Sequence, residues 1–167
     1  MADPFDSGDA GWTAISPRLA TARLLVGSLT TLVALLVVEG VLALVVDATS
    51  LPAWWLAVPL AIGLLVVAWL AWWAPRNRRS WGYREQDEEL VVRSGVAFRR
   101  VVSVPYGRMQ FVDLQAGPLA RRLGFTSLGL HTASTRTAAT VPGVPHEEAL
   151  RLRVRLTELG ESRGAGL

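Results

Sequence analysis

Two apolar runs, Leu24 to Val46 and Ala53 to Trp73, are each long enough to cross a bilayer, and only Asp47 to Pro52 separates them. At a rise of about 1.5 Å per residue each run spans roughly 30 to 35 Å, matching a hydrocarbon core of about 30 Å with a little tilt. The reading is a transmembrane helical hairpin occupying residues 22–75. Arg18 and Arg23 precede the first span, Arg76, Arg78, Arg79 and Arg84 follow the second, and the connecting loop carries only Asp47. By the positive-inside rule both ends face the cytoplasm, which implies a multi-pass protein of the cell (inner) membrane. Trp54 and Trp55 open the second span and Trp69, Trp72 and Trp73 close it, as expected when indole rings sit at the two headgroup levels. A cleaved signal peptide fits poorly, because Asp3, Asp6 and Asp9 stand where a basic segment would be needed and the apolar run is too long.

Beyond Pro75 the chain carries 15 Arg against nine acidic residues, and its basic side chains are all Arg. Such a segment is attracted to an anionic inner leaflet, at up to about 1 kcal/mol per well-placed Arg. With no cysteine there is no disulfide, thiolate nucleophile or cysteine metal site. No helix-turn-helix, zinc-finger or aromatic RNA-platform pattern points to nucleic acid.

Within the first span Glu39 lies roughly 6 Å to the outer side of the midplane. On a helix it shares a face with Ser28, Thr31, Leu35 and Leu42, a weakly polar stripe that belongs against another helix rather than lipid. A proton or ion pathway is the alternative, but the second span supplies no further ionisable group at depth. Ala53, Ala57 and Ala61 recur at four-residue spacing and would let a neighbouring backbone approach closely. Pro59 should bend the second helix, since it lacks an N–H and crowds the carbonyl of Trp55.

After the Arg-rich boundary the texture turns to β. Strands are expected at Trp81–Glu85, Leu90–Ser94, Ala97–Val104, Arg108–Gln115, Ser127–Thr132 and Thr137–Val141, with turns at Gln86–Glu89 and Ser94-Gly95. Their spacing suggests a small, strongly bent sheet or barrel. The segment His146–Leu159 alternates Leu and Val with Arg151, Arg153 and Arg155, a strand pattern. Pro145 before it, Glu147 and Glu148 at its start and Gly160 at its end favour a helix, which is the reading adopted. Its core face would be Ala149, Leu152, Leu156 and Leu159, leaving Leu150 and Val154 opposite as a contact patch.

Trp81-Gly82-Tyr83, Arg93-Ser94-Gly95-Val96, Val104-Pro105-Tyr106-Gly107-Arg108-Met109-Gln110, Gly117-Pro118-Leu119, Arg121-Arg122-Leu123-Gly124 and Pro142-Gly143-Val144 occur in this order. As an ordered set with the hairpin they resemble the bacterial pleckstrin-homology (PH) domain membrane proteins of the YdbS-like family. The resemblance implies an α-helical transmembrane hairpin plus an α+β PH-like domain, a small bent barrel or pair of sheets capped by the C-terminal helix. It also implies a membrane protein partner. The expected organisation is a mobile cytoplasmic N-terminus over 1–21, the hairpin over 22–75, the PH-like domain over 76–160 and a flexible tail over 161–167.

Lipid-binding PH domains place basic side chains at the first hairpin turn, whereas here that turn is Gln86-Asp87-Glu88-Glu89, whose carboxylates would repel a polyphosphate. Arg78, Arg79, Arg99, Arg100, Arg108, Arg121 and Arg122 offer another basic surface for lipid or a partner, Arg121 and Arg122 foremost. The competing reading is a set of solvated arginines. His131 and His146 belong to no metal-binding run, and the serines lack a nucleophile-elbow context, so neither catalysis, cofactor nor small-molecule substrate is indicated. The expected function is a membrane-anchored adaptor or assembly module that binds a membrane protein or itself. Anionic-lipid binding and a Glu39-dependent transport component stand as alternatives.

Overall fold

The computed structural model describes residues 11–49, 51–132 and 138–164. The chain forms two compact units, one of Ala20–Pro75 and the other holding the chain up to Leu19 and from Arg76 onward.

The first unit is built from helices α1 (Arg18–Thr49) and α2 (Ala57–Arg79), the latter preceded by a 3-10 turn, Ala53–Leu56. Both helices are long and apolar enough to cross a membrane. The helices meet where each presents a glycine. A methyl group on Gly27 would lie 2.7 Å from a Leu70 methyl, and one on Gly63 would collide with Leu35, so these two glycines set the close approach. The hydroxyls of Thr30 and Thr31 donate to the carbonyls of Val26 and Gly27 at 2.8 Å, which satisfies them inside the helix. Pro59 falls in the first turn of α2, directly after the 3-10 turn Ala53–Leu56. Pro75 does not end the helix: α2 runs on to Arg79. The end is closed by Ser80, whose N–H donates to Arg76 and whose hydroxyl donates to the Asn77 carbonyl.

The second unit has two antiparallel sheets. One is ordered β1 (Thr13–Ala14), β2 (Gly82–Glu85), β3 (Glu89–Ser94) and β4 (Arg100–Pro105). The other is ordered β5 (Met109–Gln115), β6 (Phe125–Thr132) and β7 (Ala139–Pro145), with a 3-10 turn at Tyr106–Arg108 and the short helix α3 (Pro118–Leu123) between elements. Helix α4 (His146–Gly164) packs on β5, β6 and β7. Its Ala149, Leu152 and Leu156 are fully buried with Leu90, Val104, Leu128, Leu130, Val141 and Val144, so the helical period and not the alternation of arginines governs this segment.

Several boundaries move. The segment before Leu19, expected to be mobile, is docked from residue 11 on: Thr13 and Ala14 pair with Tyr83 and Gly82, Ile15 is 1% exposed, and the Ser16 N–H donates to the Gly143 carbonyl at 2.7 Å. A strand of two residues carries no periodic signal, which is why the sequence does not reveal it. The remainder of the expected mobile segment, 1–10, lies outside the described residues. Strand β4 begins at Arg100 rather than Ala97, because the chain folds back at Gly95 (φ +103°), where a side chain would strike the Phe98 carbonyl. Strand β7 continues through Pro142 and Gly143 to Pro145; Thr137 lies outside the described residues. Between the pairs Thr126↔Val144 and Leu128↔Val141 the register shifts, and Gly143 adopts φ +72° in this bulge, with Leu19 against it. Helix α4 passes Gly160 and reaches Gly164, although 161–167 was expected as a tail. Gly160 thus lies inside α4, where even a side chain would meet the Tyr106 carbonyl only at an ordinary 3.5 Å. Residues 165–167 lie outside the described residues.

Candidate functional site

The two turns of the first sheet differ in charge and in surroundings. The first, between β2 and β3, carries Glu85 to Glu89, and helix α4 holds it closed. Arg151 lies across it: its Nη2 donates to Glu85 Oε1 and to Glu148 Oε1, both at 2.6 Å, and its Nε to Glu148 Oε2 at 2.9 Å. Arg155 Nη1 stands 3.2 Å from Glu85 Oε2, and Arg163 approaches Glu88 at 3.9 Å. Two tyrosines lock the same corner. Tyr83 donates its phenol to Glu148 Oε1 at 3.1 Å, and Tyr106 donates to the Gln86 carbonyl at 2.8 Å. The Arg151 fork holds the Glu148 carboxyl below its ordinary value, whereas burial, reinforced by the Glu148 charge, pushes the Tyr83 phenol up. The hydrogen bonds that Arg151 donates to the Glu148 and Glu85 carboxylates raise its guanidinium. The base of this turn, at Glu85, is thus paired with arginines of α4.

The second turn, between β3 and β4, is basic. Arg93, Arg99 and Arg100 from this hairpin meet Arg76 and Arg79 from the end of α2 around a cavity of about 360 Å³, together with Ser94. Of these, Arg93 packs on Trp12, whose ring centre lies 4.8 Å from its guanidinium and 4.7 Å from that of Arg84. At the tip, Val96 is 42% and Phe98 92% exposed.

The remaining residues singled out from sequence are dispersed. Arg78 donates from Nε to the Ile15 carbonyl at 3.1 Å and thereby ties down the N-terminal segment. Arg108 is exposed at the end of a 3-10 turn, and Arg121 and Arg122 are exposed on α3, away from the cavity lining. Leu150 and Val154 are 43% and 59% exposed on α4 and form a shallow apolar patch with Arg153, Thr157 and Glu158. In the helical unit Ser28, Thr31, Leu35, Glu39 and Leu42 are half-buried positions of α1, and Glu39 Oε1 is enclosed without a hydrogen-bond partner among the described residues. Ala53, Ala57 and Ala61 are exposed, so the contact within the hairpin runs through Gly27 and Gly63 and leaves the alanine stripe outside it. His131 stacks on Phe111 at 4.2 Å, and His146 Nδ1 lies 3.0 Å from the Thr126 hydroxyl; both rings are placed structurally.

Sequence reasoning missed Arg76 and Arg93 as members of the basic group, and missed Val96, Phe98 and Trp12 altogether. A signal was present in Arg93 to Arg100, where an apolar tip stands between arginines across a glycine turn.

Two sheets closed by a C-terminal helix, attached to two long apolar helices, define a membrane-associated PH-like module. The bacterial PH domain family matches residues 24–159, most of the chain, and the chain belongs to that family. It is also 29% identical over 132 residues to the transmembrane protein YdbS of Bacillus subtilis (strain 168), an alignment that covers 74% of this chain and 82% of the relative. The protein is thus a membrane protein, and the family that it matches is a PH-domain family rather than an enzyme class. No solved structure gives a significant match.

Proposed function

We propose that this chain is a membrane-anchored adaptor, both termini cytoplasmic, whose PH-like unit recognises a membrane protein or a second copy of itself. The observation that carries the reading is the double apolar character of α4: one face is fully buried in the core, while Leu150 and Val154 stand exposed on another. A helix that needs only to cap a sheet gains nothing from a second apolar patch. The acidic first turn, closed by Arg151 and Arg155, gives no support to polyphosphate recognition at the place where PH domains commonly perform it. Anchoring raises the local concentration of the α4 surface for anything in the same bilayer, so a modest contact suffices. The outward alanine stripe offers a further helix-binding surface within the membrane.

A photo-crosslinking residue at Val154 of the full chain in native membranes should give one discrete product. Its mass would identify either a dimer or a membrane protein, and Leu150→Glu should abolish it. No product, or a product indifferent to Leu150→Glu, would overturn the reading.

A further inference from the structure

Five guanidinium groups share the cavity beside the second turn, and among the described residues its lining holds no carboxylate. We infer that this cavity holds the phosphate of an anionic phospholipid headgroup, with Phe98 and Val96 entering the margin of the acyl chains. The inference goes beyond the adaptor reading and stands without it.

Arg79, Arg99 and Arg100, with Arg76 and Arg93 in the same lining, are brought together by three separate segments, which concentrates positive charge there. A phosphate complements that charge, and guanidinium forks match its oxygens in pairs. The Ser94 hydroxyl in the same lining offers a neutral donor. The choice of a lipid over free phosphate rests on two further observations. The turn that supplies Arg99 also carries Phe98, 92% exposed, and Val96, 42% exposed. An apolar tip edged by arginines is the composition of a segment lying at a bilayer surface, and a site for a soluble anion has no use for it. In addition, Arg76 and Arg79 follow Trp73 within the same helix, about 4.5 and 9 Å along its axis, so chain connectivity keeps them near the level of the headgroups. The residues concerned differ from Arg121 and Arg122, which line no part of this cavity.

The test uses the full chain, purified in mild detergent with phosphatidylglycerol or phosphatidylcholine and examined by native mass spectrometry. Wild-type protein should retain one phosphatidylglycerol under conditions that strip phosphatidylcholine. Arg79→Gln combined with Arg99→Gln should cut the retained fraction on the order of tenfold, a change of about 1.4 kcal/mol. Phe98→Ser should weaken retention without altering the charge, and Arg121→Gln with Arg122→Gln should leave it unchanged. Both cavity positions are exposed, and a melting curve matching wild type separates lost binding from lost folding. Retention that survives Arg79→Gln with Arg99→Gln, or that falls equally with the α3 variant, would overturn the proposal. So would displacement of the lipid by millimolar inorganic phosphate together with indifference to Phe98→Ser, which would assign the cavity to a soluble anion.

Discussion

The two turns of the first sheet are built on adjacent hairpins that share strand β3, yet their charges are handled in opposite ways. At the first, Glu85 meets arginines of α4, with Arg151 bridging Glu85 and Glu148 at 2.6 Å. At the second, arginines from α2, β3 and the turn itself gather around an open cavity, and an exposed phenylalanine stands at its tip. The difference teaches that the basic balance of the soluble segment is not a uniform coat. Arginines of α4 close the fold, Arg78 ties the N-terminal segment to it, and the group at the second turn lines a cavity.

The largest expected effect comes from loosening the element that closes the first turn. Leu152 is fully buried on α4, so Leu152→Ala should cost about 2–5 kcal/mol in the soluble unit, read as a fall in the melting temperature of the purified protein. Lipid retention in the molecules that remain folded should persist, because the cavity is lined by α2 and the second hairpin. A smaller effect is expected at Glu148. Glu148→Gln should cost about 1 kcal/mol, the value being held down because the Arg151 side chain is 46% exposed and screened. The Glu148 carboxyl lies below its ordinary 4.5 in the folded chain, so its contribution is fully present above that value and disappears as pH falls through the folded value. Stability measured from pH 6 downward should therefore decline less steeply in Glu148→Gln than in the wild type. An identical decline would show that the first turn does not depend on this bridge.

The fold was legible wherever a period ran long enough. The two apolar runs and the buried spacing of Ala149, Leu152 and Leu156 are local patterns that packing then confirms. Strand β1, the run of β7 through Pro142 and the continuation of α2 past Pro75 were not legible. Each depends on a distant partner or a local exception: Tyr83 and Gly82 for β1, the bulge at Gly143 for β7, and a proline accepted inside a long helix for α2. The candidate site was only partly legible for the same reason. Arg79, Arg99 and Arg100 stood out as charge, but their association with Arg76 and Arg93 is tertiary, and Arg121 and Arg122, adjacent in sequence and equally basic, lie outside the group. Likewise, the contact within the hairpin is made by Gly27 and Gly63, which no spacing in the sequence singled out.

The contrast between the turns can be measured in one experiment, because the chain has no cysteine and accepts a single label cleanly. An environment-sensitive fluorophore would be attached at Phe98→Cys or at Asp87→Cys in the full chain, reconstituted into vesicles with and without phosphatidylglycerol. The account predicts a blue shift and quenching by bilayer-embedded quenchers at position 98 that grow with phosphatidylglycerol, and a water-exposed spectrum at position 87 throughout. The same spectra at both positions, or a position 98 that stays in water at every lipid composition, would contradict it.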